Sequence, residues 1–187
     1  MKHYIQFFSL FISIVLLSEM SYGTHLRAGQ ITAIRDKLYP NTPTYIFTLT
    51  LYRDACPTCA EQPKATIIVV PISNGQRLSP IARLNADLNL PQRVVGPETE
   101  ELTYTFNYTF LSQGSYVIYF QEEFRNAEIV NMSNSVVTPF YVETVLNIIP
   151  NLGSNSTPQL RNPPVDNAEV GQKFTHNPAA FDPDGDS

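Results

Sequence analysis

Apolar and polar residues alternate with a period of two through much of the chain. The clearest stretch is 102–110. There Leu102, Tyr104, Phe106, Tyr108 and Phe110 fall on one side, and Thr103, Thr105, Asn107 and Thr109 on the other. Successive side chains of a strand point to opposite faces, so this pattern predicts a strand with one packed and one wet face. The stretch 45–52 repeats it with Tyr45, Phe47, Leu49 and Leu51. After Gly114, Tyr116, Ile118, Phe120 and Phe124 share a face, and 140–149 adds Phe140, Val142, Leu146 and Ile148. The near-continuous apolar run 65–72 suits a central strand covered on both faces, and 26–34 suits an edge strand.

Turn-forming clusters separate these runs: Pro40-Asn41-Thr42-Pro43, Ser73-Asn74-Gly75, Gly96-Pro97 and Ser112-Gln113-Gly114. Between Pro80 and Pro91, the stretch 81–90 reads as a short helix confined to a connection. Six or seven short strands at this spacing predict an all-β, antiparallel sandwich. Each aromatic ring buries ~150–250 Å², so the Tyr and Phe stripes are expected to be core. A sugar-binding aromatic platform is the alternative reading of the same stripes.

The alternation stops near residue 150. Pro150-Asn151-Leu152-Gly153-Ser154-Asn155-Ser156-Thr157-Pro158 is polar and aperiodic, and Asn162-Pro163-Pro164 closes it. Such composition reads as a linker stiffened by proline. From Val165 onward, Val170-Gly171-Gln172-Lys173-Phe174 and the acidic run Phe181-Asp182-Pro183-Asp184-Gly185-Asp186-Ser187 read as the start of a second module that continues beyond this chain. A piece this short buries too little surface to fold alone, so it is expected to move relative to the first domain.

The other end of the chain reads as an export signal. Lys2 and His3 precede the apolar run 4–17, and Ser21-Tyr22-Gly23 supplies small residues for a signal peptidase. The run is shorter than the ~20 residues of a membrane span. Cleavage is placed after Gly23, leaving no spanning segment in the mature chain. The expected layout is signal peptide 1–23, β-sandwich 24–149, linker 150–164 and module start 165–187. Charged residues make up 16% of the chain and the formal net charge is -5. An acidic chain lacks the basic face that nucleic acid demands.

Two places carry candidate chemistry. Cys56-Pro57-Thr58-Cys59 follows a strand. A disulfide closing the loop suits an oxidising compartment, although a redox pair or half of a zinc site shares the spacing. The redox reading lacks its βαβ surround, and His3, His25 and His176 offer no paired zinc spacing. At the far end Asp182, Asp184 and Asp186 are hard oxygen ligands of the kind Ca²⁺ takes. Gly185 falls at the wrong position for an EF-hand, which leaves a junction calcium site or an ordinary Asp-capped turn. Asn107, Asn131 and Asn155 head glycosylation-type triplets. No constellation of nucleophile, base and acid stands out, so a non-enzymatic role is expected.

Thr24-His25-Leu26-Arg27-Ala28-Gly29-Gln30-Ile31-Thr32, followed by Tyr45 and Leu49-Thr50-Leu51-Tyr52-Arg53-Asp54, resembles the opening of large surface proteins of gliding Bacteroidetes-type bacteria. The stretch from Asn162-Pro163-Pro164 through Val170-Gly171 and His176-Asn177-Pro178 to Ser187 is similar to the next module of those proteins. The resemblance implies immunoglobulin-like or cadherin-like sandwiches in tandem, and export by the type IX system through a distant carboxy-terminal domain. It also implies a place at the cell surface in adhesion or gliding motility, with the other modules as partners and a protein or glycan ligand. Many members carry a Cys shortly before the Val-Gly pair; Ala168 and Glu169 stand there in this chain. The expected function is a structural or adhesive module without cofactor, save calcium in the longer protein. The alternatives are an exported thiol–disulfide enzyme using Cys56 and Cys59, and a carbohydrate-binding module.

Overall fold

A computed structural model of the protein describes residues 25–55, 62–96, 98–123, 125, 129, 131–149, 155–164 and 169–185. The first part of it is an antiparallel β-sandwich. One sheet contains β1 (Leu26–Arg35), β2 (Thr44–Asp54), β7 (Thr99–Thr109) and β6 (Arg93–Gly96), in the order β1-β2-β7-β6. In the other, β3 (Lys64–Ser73) lies beside β8 (Gly114–Glu122), and β8 beside β9 (Phe140–Ile148). The outer edge of β3 is shared by β4 (Gln76–Arg77) and β5 (Ala82–Asp87). A short 3-10 turn, Ser135–Val137, precedes β9. The β1-β2-β7-β6 sheet thus faces a sheet built around β3 and β8. Both sheets are antiparallel and no α-helix occurs among the described residues, so the expected all-β sandwich class holds.

The inner faces follow from the alternation. Phe47, Leu49 and Leu51 of β2 stand opposite Phe106, Tyr104 and Leu102 of β7. From the facing sheet come Ile67, Val69, Ile118, Phe120 and Leu146, all within one buried cluster. Aromatic contacts tie the tail end of this core together: Phe110 meets Tyr45 edge-on at 5.9 Å and Tyr116 at 4.5 Å. Burying each such side chain stabilises the fold by roughly 1.5–3 kcal/mol before ordering costs.

Two expectations need correction. The stretch 81–90 is mainly the edge strand β5, paired with β3 from Lys64↔Asp87 to Val69↔Ala82. Ala82, Leu84, Ala86 and Leu88 pack towards the core while Arg83, Asn85, Asp87 and Asn89 face solvent. The period is two, and the flanking prolines bound a strand rather than a helix. Beyond Asp87 the chain changes sheets: Leu88 bridges to Tyr104, and β6 then pairs with β7. Corner-forming strands of this kind join two sheets. Phe106 and Tyr108, expected to be buried, are only partly so. Among the described residues β6 pairs only with Thr99, Glu100 and Glu101, and Leu88 and Asn89 reach no further than Thr105, so no strand flanks β7 on that side at Phe106 and Tyr108.

Two local devices seat the sheets. A Cβ on Gly29 would lie 2.9 Å from Leu51 Cδ2, 3.0 Å from the Thr50 carbonyl oxygen and 3.3 Å from Phe140 Cζ. The absent side chain therefore lets β1 close against β9. At the start of β8 the hydroxyl of buried Tyr116 donates to the Ser112 carbonyl at 2.9 Å. This bond from a core side chain to turn backbone pins the β7–β8 turn to the start of β8.

The register also fixes direction. β1 starts at one end of the sandwich, beside the end of β2, and β9 finishes at the other. The chain enters at this head end near His25 and leaves at the tail end near Ile149. A two-stranded sheet follows, β10 (Gln159–Leu160) with β11 (Ala180–Phe181).

Candidate functional site

At the tail the chain turns back. Thr157 donates its N–H to the Ala33 carbonyl at 2.9 Å, and its Oγ1 accepts the Ala33 N–H at 2.7 Å. Three residues on, Leu160 donates its N–H to Gln30 Oε1, and Gln30 Nε2 donates to the Leu160 carbonyl, both at 3.0 Å. Thr157 lies beside residue 33 and Leu160 beside residue 30, so this segment runs antiparallel to β1 along its outer edge. Ser156 and Thr157 are almost fully buried, at 5% and 2% exposure. The segment read as a linker thus supplies buried backbone to the sandwich.

Beside this contact lies an open cleft of about 490 Å³. The β1–β2 turn gives it Pro40 and Pro43, the β7–β8 turn gives Phe110 and Ser112, and β9 ends in it at Ile148. Arg35 stands 5.3 Å over the ring of Tyr45 on its wall. Burial pushes the Tyr45 phenol up; the Arg35 guanidinium opposes this and the Asp184 charge adds to it. One junction therefore gathers groups from both parts of the chain. A second hollow of about 190 Å³ lies between β1 and the later segment, with Gly29, Tyr52, Leu160 and His176 in its wall. Burial, and then the Glu101 carboxylate, pushes the Tyr52 phenol up to about 12.

The head end is polar inside. Arg53 is nearly buried and donates from Nε and from its NH2 group to the same Glu100 oxygen, at 3.1 and 3.0 Å. The Tyr104 hydroxyl donates to the Gln62 carbonyl at 2.7 Å, and burial raises its phenol well above the usual tyrosine range. Arg27 pairs with Asp54, and His25 Nδ1 lies 3.6 Å from the same carboxylate. This cluster sits where β2 crosses to β3. Cys56 and Cys59 belong to that connection but lie outside the described residues.

The acidic motif is placed in part. Asp182 Oδ1 accepts the N–H of Asp184 at 2.9 Å. The Asp184 carboxylate accepts from the N–H of Ser156 and, at 3.2 Å, from its hydroxyl. Asp186 lies outside the described residues. Among the described residues no three His, Cys, Asp or Glu side chains converge as metal ligands. His25 stands at the head and His176 in the second hollow. Of the glycosylation-type asparagines, Asn107 and Asn131 are exposed, whereas the triplet of Asn155 ends in the buried Thr157.

On the outer face of the β3 sheet, Arg77 donates to the Tyr141 hydroxyl at 2.7 Å and to both Glu143 oxygens, at 2.9 and 2.6 Å. Tyr119 and Tyr141 meet there at a tilt of 30°, with centroids 5.4 Å apart. Sequence reasoning missed Ser156, Thr157 and Gln30 because polar residues in an aperiodic segment carry no period to read. The only available signal was the Ser-Thr pair immediately before a proline. Among the described residues no helix is long and apolar enough to cross a membrane. No family model matches the chain, and neither a curated protein nor a solved structure matches it.

Proposed function

We propose that this sandwich is a non-catalytic structural or adhesive module of an exported cell-surface protein, and that its task is to hold the unit after it in a set place. The observation that carries the reading is the return of the chain along β1. An uncovered edge strand presents unpaired N–H and C=O groups that invite foreign strands. Here residues 157 and 160 occupy that edge with four directed bonds. Directed bonds fix an orientation, which apolar contact alone does not. Entry at the head and exit at the tail suit modules in tandem. Adhesion or gliding motility is the setting that the family resemblance implies.

Residual dipolar couplings on residues 24–187 test this. The amides of 26–148 and of 155–185 are expected to report one common alignment tensor. Two independent tensors refute the positioning role. Amino-terminal sequencing of the secreted protein is expected to begin at Thr24. Insulin reduction faster than that of a Cys56→Ser, Cys59→Ser control replaces the structural reading with the redox one, and saturable glycan-array binding replaces it with the carbohydrate one.

A further inference from the structure

We infer that the Asp-Pro-Asp-Gly turn is a fastener: Asp184, held by Asp182, positions Ser156 so that Thr157 closes the edge of β1. This deepens the positioning role proposed above and rests on it. The register supports it first. β10 and β11 pair Gln159 with Phe181 and Leu160 with Ala180. Continued without a slip, that register sets residue 156 opposite residue 184. There the Asp184 carboxylate takes up both the N–H and the hydroxyl of Ser156. A side-chain carboxylate thus stands where a ladder carbonyl would accept.

The chemistry of the neighbours supports it next. Pro158 disfavours helical backbone at Thr157 and keeps it extended. Thr157 presents N–H and Oγ1 together to Ala33, and its neighbour Ser156 is held at the same time by Asp184. Asp184 is itself oriented by the bond from its N–H to Asp182, and Gly185, at φ +74°, allows the chain to turn away. The five residues form one connected series: Asp182, Asp184, Ser156, Thr157, Ala33. Ser156 and Thr157 are shielded from water, so removing the carboxylate leaves a buried N–H without an acceptor. In this arrangement the acidic motif serves donors of its own chain.

Amide hydrogen exchange on the full chain tests the inference with Asp184→Ala, Asp184→Asn and a Ser156→Ala control. In the parent protein the amides of Ala33 and Thr157 are expected to be protected. Asp184→Ala is expected to speed exchange at both by roughly tenfold or more, the size set by a charge-assisted bond. Ile118, deep in the sandwich, is expected to be unchanged. Asp184→Asn keeps an acceptor oxygen without its charge and is expected to fall between, and Ser156→Ala to match it. Equal protection of Ala33 and Thr157 in the parent and Asp184→Ala overturns the fastener. Loss of protection at Ile118 together with Thr157 also overturns it, because Asp184 would then hold the whole fold. Absence of protection in the parent itself defeats the positioning role instead, which keeps the two failures apart.

Discussion

The sandwich core and the junction at its edge are built from opposite materials. The core joins two sheets through rings and branched chains, with Phe47, Leu49, Leu51, Tyr104 and Ile118 essentially without exposure. The junction joins the later segment to β1 through a few hydrogen bonds, Thr157 with Ala33 and Leu160 with Gln30. Burial is non-directional and spread over many contacts, so it survives the loss of any one polar group. Hydrogen bonds contribute only about 0.5–1.5 kcal/mol each, and they fix geometry more than stability. The core therefore decides whether the protein folds, and on the positioning role proposed above the junction sets where the later segment sits.

The strongest way to break that contrast is to cut the core. Phe47→Ala is expected to cost ~3–5 kcal/mol, with Phe106→Ala about half of that because its flank is open. Urea denaturation followed by tyrosine fluorescence measures both. Equal costs would mean that the edge of β7 is covered in solution.

Alkaline titration comes next. The Tyr52 phenol is raised to about 12, and those of Tyr45 and Tyr104 are raised as well, all chiefly by burial. An unfolded tyrosine titrates near ~10. Between that value and the folded one, the unfolded state has lost a proton that the folded state keeps. Stability is then full below about pH 10 and falls as pH rises towards 12 and beyond. Circular dichroism across this window is expected to show the sheets lost steeply with pH, and a flat profile contradicts the burial of these rings.

A smaller effect is expected from Gly29→Ala, which forces a methyl against the Thr50 carbonyl and Leu51 and should cost ~1–3 kcal/mol. Thermal melting measures it. An unchanged midpoint would mean that β1 can move away from β9 freely. The smallest global effect belongs to the junction. Thr157→Val keeps the shape and removes the hydroxyl; the freed Ala33 N–H reaches water once the junction opens, so the loss of stability should be only ~1 kcal/mol while the Ala33 amide becomes exposed to exchange. A core that melted with it would erase the distinction between the two regions.

Period-two patterns exposed the inner faces of β2, β7, β8 and β9 because burial on one side of a strand imposes that period. They also carried β5, where Ala82, Leu84 and Ala86 alternate with charged and amide residues. There the alanines diluted the apolar signal and the prolines suggested a helix. The end of β6 beside β7, and hence the partial exposure of Phe106, depends on which strands become neighbours, and no local pattern encodes that. The junction was least legible. Thr157 and Ala33 are 124 residues apart, and a threonine that bonds to an edge strand looks like any other loop threonine. Asp182 and Asp184 did announce a turn, though not the donor that Asp184 meets.

The opposite placement of entry and exit has a mechanical consequence. A pull on His25 at the head and on Ile149 at the tail lies along the strands, not across them. β1 and β9 are then dragged lengthwise past β2 and β8, against nine paired positions in the β8–β9 ladder. Ladder bonds loaded this way share the strain and must yield together, whereas a hairpin pulled at one end opens bond by bond. A sandwich with this routing resists tension through shear, and the load it bears is set by how many ladder bonds must break at once.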